Sequence, residues 1–313
     1  MQLYQLAKKD LSFTPYSVQW IPSSSRLCSV GGTERTTGKI AVYAFEEKQL
    51  VLAAETEISS PVRCATFGAA DTHNRHAATG DFKGGLQLWD TQRLELSVDS
   101  VDAHDSIIHC IDGACGQGQS NELVTGSRDT TVKVWDTRQL HTSVFSVKRK
   151  DPNVKNEVWS VAFAPNMAHR AIAIGYDNGC IRLFDIDAGS YLWETQVGDG
   201  VCSLTFDQGN TLIASTLTGV HVIDLMDGKA SKLSTPSDTT YWCVQAVPQY
   251  DQHVSVTAGD GSMSIWHQQQ RDAPLAKSSL TTHPVISHHW HPNRKGLFAS
   301  SAFDQTLRIG YVE

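Results

Sequence analysis

Short apolar segments alternate with polar turns along the whole chain, and one arrangement of them recurs about seven times. The clearest copies are residues 79–90 and 125–136, each of which predicts a strand, a tight turn and a second strand that ends in Trp-Asp. Weaker copies end at Tyr43, Phe184, Ile223, Trp266 and Gly310. The endpoints lie 39 to 49 residues apart. A period of about 40 to 45 residues with four strands in each unit is typical of a β-propeller.

A six-residue strand precedes each of these strand pairs. Its third residue is Ser or Cys in every copy: Ser17, Cys64, Cys110, Ser160, Ser203, Cys243 and Ser287. We attribute this to the innermost strands of seven blades, which converge on a central axis where only a small side chain fits. The sequence therefore predicts an all-β fold, a seven-bladed β-propeller of WD repeats that spans residues 1–313 as a single domain.

The two ends of the chain are expected to meet in one blade. The last repeat stops after its third strand, and a three-stranded blade would leave an edge open to mispairing. Residues 2–7 precede the first repeat and have no blade of their own. We therefore expect this segment to supply the outer strand of the last blade and to close the ring.

Composition narrows the functional classes. The 313 residues are 40% hydrophobic and 19% charged, which suits a soluble globular protein. No apolar run approaches the roughly 18 residues of a membrane helix, and residues 1–9 lack the apolar core of a secretory signal. The net charge of −7 argues against binding to nucleic-acid backbones. Seven cysteines without a CxxC pair predict a reducing compartment, the cytosol or nucleus.

The third repeat carries the fullest set of polar residues: His104, Thr125, Asp129 and Trp135. In Trp-Asp repeats these residue types form a buried hydrogen-bond chain, in which Asp accepts from His, His contacts the hydroxyl, and the hydroxyl accepts from the indole N–H. A His/Asp pair beside a hydroxyl is also a catalytic arrangement. We favour the structural interpretation because the residues occupy positions set by the repeat. Blades without the full set are expected to depend on packing.

Other candidate chemistry is weak. The glycine-rich stretch 113–118 lacks the Lys-Ser/Thr of a phosphate-binding loop, so it predicts a connection. Four histidines, His283, His288, His289 and His291, lie close together in sequence. A metal site is the alternative there, but no carboxylate or thiolate stands at ligand spacing, and an unpaired structural role is the default. We expect no enzyme activity, no metal and no cofactor.

Positions at which the repeats differ are better candidates for a binding site. The second residue of the inner strand varies most: Tyr16, Arg63, His109, Trp159, Cys202, Trp242 and Ile286. Trp, Tyr and Arg dominate binding hot spots, although packing between blades is the alternative. Tight turns expected on the same face add Phe82, Arg128, Asp177 and Phe303. A basic loop at 148–156 reaches this face as well and is either solvated or a site for an acidic partner.

From these positions we predict a protein-binding face. Its residues are Tyr16, Arg63, Phe82, His109, Arg128, Trp159, Asp177, Trp242 and Phe303.

Several segments together resemble the Monad family of WD-repeat proteins across all seven repeats. They include Gly-Tyr-Asp-Asn-Gly at 175–179, Trp-Glu-Thr at 193–195 and Phe-Asp-Gln-Thr at 303–306. The resemblance implies a non-catalytic, cytoplasmic protein. It further implies association with a prefoldin-like co-chaperone assembly that contains RuvB-like ATPases, and a role in the cytoplasmic assembly of axonemal dyneins. Ubiquitin binding is also attributed to such propellers.

The leading hypothesis is therefore a chaperone-linked adaptor for dynein assembly, with the co-chaperone assembly, dynein heavy chains and ubiquitin as candidate partners. The alternative is a generic interaction module that binds ubiquitin or a peptide tail. We expect a monomer that binds neither nucleic acid nor membrane.

Overall fold

The computed structural model describes residues 1–70, 75–114, 121–147, 153, 155–165, 167, 169–207 and 209–313. Within these residues the secondary structure is entirely β, and the strands form seven four-stranded antiparallel sheets arranged as the blades of a propeller. In each blade the chain runs from the innermost strand outwards. The predicted all-β, seven-bladed fold is confirmed.

The strands of the first four blades follow one another in sequence. Blade one contains β2 (Thr14–Trp20), β3 (Arg26–Gly32), β4 (Gly38–Glu46) and β5 (Gln49–Ile58). Blade two contains β6 (Val62–Thr66), β7 (His76–Asp81), β8 (Gly85–Asp90) and β9 (Ser97–Asp102). Blade three contains β10 (Ile108–Gly113), β11 (Glu122–Ser127), β12 (Val132–Asp136) and β13 (Phe145–Val147). Blade four contains β14 (Val158–Phe163), β15 (Ala171–Tyr176), β16 (Cys180–Asp185) and β17 (Ser190–Gln196).

The last three blades include the one that joins the two ends of the chain. Blade five contains β18 (Val201–Phe206), β19 (Thr211–Thr216), β20 (Val220–Asp224) and β21 (Ala230–Lys232). Blade six contains β22 (Tyr241–Ala246), β23 (His253–Ala258), β24 (Ser262–His267) and β25 (Ala276–Ser279). Blade seven contains β26 (Val285–Trp290), β27 (Leu297–Ala302), β28 (Thr306–Val312) and, as its outer strand, β1 (Leu3–Asp10).

Strand β1 closes the ring as the sequence predicts. It pairs antiparallel with β28, from Leu3 opposite Val312 to Asp10 opposite Thr306. Beyond the strand ends, Gln2 and Glu313 exchange backbone hydrogen bonds of 3.1 Å in both directions. The strand runs three residues further than the predicted segment 2–7, because the partner strand continues to Thr306 and supplies a ladder for it.

The core consists of seven apolar clusters, one between each pair of neighbouring blades. The cluster that joins blade seven to blade one contains Leu307 and Ile309 from one side and Val18 and Trp20 from the other. Every blade is covered on both faces, which explains why second strands such as β15 and β27 are buried at every residue rather than at alternate ones.

The Ser or Cys at the third position of the inner strand links neighbouring blades in six of the seven blades described. The Ser160 hydroxyl donates to the carbonyl of Val201 at 3.0 Å, and the Cys64 thiol donates to that of Ile108 at 3.5 Å. The side chains of Cys110, Ser203 and Cys243 also contact backbone carbonyls of the next blade. The Ser287 hydroxyl instead accepts from the backbone N–H of Val18. The side chain must be small because the next blade is close, and it is polar because it reaches that blade's backbone. Proximity to the axis, our sequence-based reason, is therefore only part of the cause.

Blade three contains the polar chain expected from its residues. Nδ1 of His104 lies 3.0 Å from the Asp129 carboxylate, and Nε2 lies 2.7 Å from the Thr125 hydroxyl. The indole N–H of Trp135 donates to the same hydroxyl at 2.9 Å. Burial acts to raise the pKa of Asp129. Hydrogen bonds from His104 and Thr131 outweigh this effect and hold that pKa well below its usual range.

The expectation that the other blades depend on packing alone is wrong for blades six and seven. Ser255 of blade six accepts from the indole N–H of Trp290 and contacts Nε2 of His288, both at 2.7 Å. In blade seven the Asp304 carboxylate accepts from the Thr281 hydroxyl at 2.7 Å and from Arg308 at 2.6 Å. The Asp304 network uses the repeat positions of Asp129 and His104 with Thr281 in place of the histidine, whereas Ser255 contacts two residues of the next blade, so a search for the His-Thr-Asp-Trp set finds neither network.

Candidate functional site

A β-bulge occurs at the second residue of every inner strand. In blade two, Val62 pairs with Asp81 and Cys64 pairs with Gly80, so Arg63 between them has no partner on β7. The same register shift leaves out Tyr16, Arg63, His109, Trp159, Cys202, Trp242 and Ile286. A bulge re-aims the side chain of the extra residue and often lies next to a functional site. The most variable position of the repeat is thus the one that the strand ladder does not constrain.

All seven bulge residues line a central cavity of about 960 Å³. The cavity follows the inner strands, and pockets of about 300–1,000 Å³ are the usual size for small ligands. An extended peptide side chain fits within this space. The bulge residues form its mouth on the face where the inner strands begin.

The tight turns that the sequence singles out lie beside this mouth. The backbone N–H of Phe82 donates to the carbonyl of Pro61 at 3.0 Å, two residues before the bulge at Arg63. Arg128, Asp177 and Phe303 make the equivalent bond in blades three, four and seven. We call the seven bulge residues and these four turn residues the upper rim.

One group on the upper rim joins blades one and two. The rings of Tyr16 and Phe82 are 5.5 Å apart, and the Arg63 guanidinium lies 5.9 Å from the centre of the Tyr16 ring. An arginine over an aromatic face gains a cation–π attraction. Phe82, at the tip of a turn, is therefore not an isolated exposed ring.

A second group is organised by Glu157, which the sequence analysis does not select. Its carboxylate lies 3.2 Å from Nε2 of His109 and accepts from Nε of Arg128 at 3.1 Å and from the indole N–H of Trp159 at 3.2 Å. Burial acts to raise the pKa of Glu157, but the bonds from Trp159 and His109 and the nearby charges lower it. Burial, with the charge of Arg63, lowers the pKa of His109.

A signal for Glu157 is present in the sequence. The residue immediately before the inner strand is Thr14, Pro61, Ile107, Glu157, Gly200, Thr240 or Pro284 across the seven repeats. A carboxylate stands in this column only in the fourth repeat. The variation in this column, like that at the second position of the inner strand, therefore distinguishes Glu157 from its counterparts in the other repeats.

A third group on the rim contains the aromatic pair Trp242 and Phe303, and polar atoms without a hydrogen-bond partner among the described residues lie on the same rim. The rings of Trp242 and Phe303 meet edge to face at 6.1 Å. The indole nitrogen of Trp242 is buried without a hydrogen-bond partner among the described residues, and so is one carboxylate oxygen each of Asp177 and Asp199. The structure thus brings the nine predicted residues to one face, in neighbouring groups rather than one cluster.

The clustered histidines contact neighbouring groups of the protein through their ring nitrogens. Nδ1 of His289 accepts from the backbone N–H of Trp20 at 3.0 Å, and Nδ1 of His291 accepts from those of Asn293 and Arg294 at 3.1 Å. His288 contacts Ser255. The expectation of an unpaired role is therefore wrong. No cluster of His, Cys, Asp or Glu that could hold a metal occurs in the part of the chain that the structure describes.

Other features of the sequence have less bearing on the site. Residues 148–152 and 154 of the basic loop, and residues 115–118 of the glycine-rich stretch, lie outside the described residues. No disulfide joins the cysteines in the described part of the chain, and burial raises the pKa of Cys28 and Cys64 to about 12. None of the described segments forms a helix long and apolar enough to cross a membrane.

Comparison with known proteins identifies the family. The family described as "WD domain, G-beta repeat" matches residues 96–136, within blades two and three. Dynein axonemal assembly factor 10 of Homo sapiens is 36% identical, and the aligned region covers 98% of this chain and 96% of that protein. The proteins of the same name from Danio rerio and Chlamydomonas reinhardtii are 38% and 33% identical, over 98% and 99% of this chain and 95% and 96% of theirs. The chain therefore belongs to the dynein axonemal assembly factor 10 family of WD-repeat proteins, and its resemblance to the Monad family is confirmed.

Proposed function

We propose that this protein is a non-catalytic interaction scaffold that assists the cytoplasmic assembly of axonemal dyneins, as an adaptor in a chaperone-linked complex. The name of its relatives supports the dynein role. The upper rim carries the scaffold role, because the seven bulges present at one channel mouth side chains whose residues have no partner in the strand ladder. We also propose that residues 1–313 act as one domain and as a monomer.

The geometry of the polar chain in blade three supports the absence of catalysis. His104 is buried, and its Nε2 faces a Thr125 hydroxyl that already accepts from the indole of Trp135. A nucleophile needs a free path to its substrate, and the indole occupies that side of the hydroxyl. This chain of hydrogen bonds therefore stabilises blade three.

The partners that we propose are a prefoldin-like co-chaperone assembly with RuvB-like ATPases, and dynein heavy chains. A second candidate is a module that binds ubiquitin or a peptide tail, and the open cavity of about 960 Å³ behind the rim favours it. The two candidates share the rim as their binding surface and differ in the protein that occupies it.

Affinity capture from the cytoplasm of a ciliated cell tests the proposal. The wild-type protein is expected to retain RuvB-like ATPases and dynein heavy chains, whereas Arg63→Ala combined with Trp159→Ala loses them and melts close to the wild type. A matched control, Met226→Ala with Leu96→Ala, truncates two side chains that are each 81% exposed and lie away from the rim. This control should capture as the wild type does.

Two results contradict the proposal. Capture by the Arg63/Trp159 variant at the wild-type level removes the upper rim as the binding site. Capture of ubiquitin conjugates in place of the ATPases and dynein heavy chains, by the wild-type protein, favours the second candidate.

A further inference from the structure

Arg63 is the unpaired cation of the upper rim. No described residue forms a hydrogen bond or an ion pair with its guanidinium, and its recorded contact is the Tyr16 ring at 5.9 Å. The other basic residues of the rim differ in this respect. Arg128 and His109 both contact the Glu157 carboxylate, at 3.1 and 3.2 Å. Arg63 therefore retains its full hydrogen-bonding capacity for a ligand.

The positive charge of Arg63 also affects a residue on another blade across the cavity. Burial and Asp199 raise the pKa of the Cys202 thiol to about 12, while the positive charge of Arg63 acts to lower it. Cys202 belongs to blade five and Arg63 to blade two, so the charge is felt across the mouth of the ring. Tyr16, Trp159 and Trp242 line the same mouth. A half-buried guanidinium beside aromatic rings gains charge-assisted hydrogen bonds when a carboxylate pairs with it.

The surrounding charges select the kind of anion. The carboxylates of Glu157, Asp177 and Asp199 lie at or beside the rim, in blade four and before blade five. A phosphate carries close to two negative charges and is usually bound by several arginines, so a single unpaired arginine on a rim that also carries the carboxylates of Asp177 and Asp199 is a poor phosphate site. A singly charged carboxylate suits this balance better.

The backbone further selects a side chain over a chain terminus. Proteins bind a C-terminal carboxylate with free backbone N–H groups. On this rim the turn N–H groups of Phe82, Arg128, Asp177 and Phe303 already donate to carbonyls before the inner strands. The guanidinium fork remains, and it matches the carboxylate of an Asp or Glu side chain.

We propose that the upper rim binds an extended peptide segment through one Asp or Glu side chain, whose carboxylate pairs with Arg63 between Tyr16, Trp159 and Trp242. This inference rests on the proposed function, since it assigns the ligand chemistry of the same rim. It specifies that partners of this protein present an acidic residue at the centre of the bound segment.

Peptide selection tests the acidic anchor without a known partner. A displayed random library of linear peptides, with phosphoserine included in a second arm, is selected on the full-length wild-type protein. The enriched peptides are expected to share one fixed Asp or Glu. Arg63→Gln should weaken binding of an enriched, fluorescently labelled peptide by about 10- to 100-fold, the loss expected for a hydrogen-bonded charge pair.

Three further variants sharpen the result. Arg63→Glu should select Lys or Arg at the position that was acidic, and Arg63→Lys should keep the acidic preference at reduced affinity, since it retains the charge but not the planar fork. Arg128→Gln is the matched control, because that arginine is already paired with Glu157. It should leave the acidic preference intact. Melting curves establish that each variant is folded. If Arg63→Gln does not fold, the peptide affinity of Arg63→Lys is compared with that of the wild type instead.

The outcomes separate this inference from the proposed function. Wild-type selection of no peptide, of peptides without a fixed acidic residue, or of phosphoserine over Glu overturns the acidic anchor. An acidic motif that Arg63→Gln also selects overturns it as well. Each of these results is compatible with capture of ATPases and dynein heavy chains by the rim, whereas failure of that capture beside a selected acidic motif overturns the proposed function alone.

Discussion

Replacement of Asp129 by Ala is the sharpest perturbation of the polar chain in blade three. Its carboxylate accepts from His104 Nδ1 and the Asp105 backbone N–H, both at 3.0 Å, and from the Thr131 backbone N–H at 2.9 Å and hydroxyl at 2.6 Å. The variant Asp129→Ala removes the acceptor for all of these donors. The His104 side chain is fully buried, so water does not reach it easily.

The structure sets the size of the effect. A buried donor that loses its partner costs about 1–3 kcal/mol. The Thr131 hydroxyl lies 2.9 Å from Nδ1 of His104 and accepts in place of the carboxylate. We therefore expect Asp129→Ala to lower the free energy of unfolding by about 2 kcal/mol, and Asp129→Ala with Thr131→Val to lower it by about 3–4 kcal/mol, since the substitute acceptor is then gone.

Urea unfolding followed by tryptophan fluorescence measures both losses. Asp272→Ala, at an exposed carboxylate, is the matched control and should change stability by less than about 0.5 kcal/mol. Because the folded-state pKa of Asp129 is depressed, its contribution is present above its unfolded pKa and is lost as the pH falls below about 4. A loss below about 0.5 kcal/mol at pH 7 for the double variant would refute the reasoning.

Three further predictions concern the ring and its histidines. Deletion of residues 1–9 removes β1 and should lower the melting temperature, and an unchanged melting temperature would contradict ring closure by this strand. Gly126→Val should destabilise the protein in urea unfolding, because even a Cβ there lies 2.5 Å from a Val158 methyl carbon. Burial and the neighbouring His289 lower the pKa of His288 to about 3. Since the unfolded histidine takes up a proton below about pH 6.5, the wild type should lose about 1 kcal/mol per pH unit from this residue as the pH falls from about 6 to 4. His288→Val should flatten that slope in urea unfolding at pH 7 and 5, and an unchanged slope would contradict it.

Most of the fold is predictable from sequence because each blade repeats its local signals. The strand pairs, the tight turns and the Ser or Cys positions recur. A strand that is hard to recognise in one repeat can therefore be located from its position in the others. Closure by the N-terminal strand follows from counting strands in the last repeat. The networks around Ser255 and Asp304 are different. The network around Ser255 joins residues of two blades, and the network around Asp304 has Thr281 where blade three has His104, so the residue pattern of blade three specifies neither.

The candidate site is predictable only in part. Variation at the second position of the inner strand identifies Arg63 and Trp159 from sequence. The bulge that re-aims them depends on the register of β6 and β14 against their partners, which is a nonlocal property. Glu157 lies before its strand, and its role depends on His109 of the neighbouring blade. Sequence reasoning therefore finds the residues of the rim and leaves out how they are grouped.

The bulges explain how a repetitive ring presents a non-repetitive surface. The third residue of six inner strands contacts the next blade, as Ser160 contacts the carbonyl of Val201, so substitution there disturbs the ring. The second residue, one position away, has no partner in the ladder and faces the channel mouth. A change at Arg63 or Trp159 therefore alters the charge and shape of the rim without breaking a backbone pairing. The scaffold and the binding surface occupy adjacent residues, and the bulge separates their constraints.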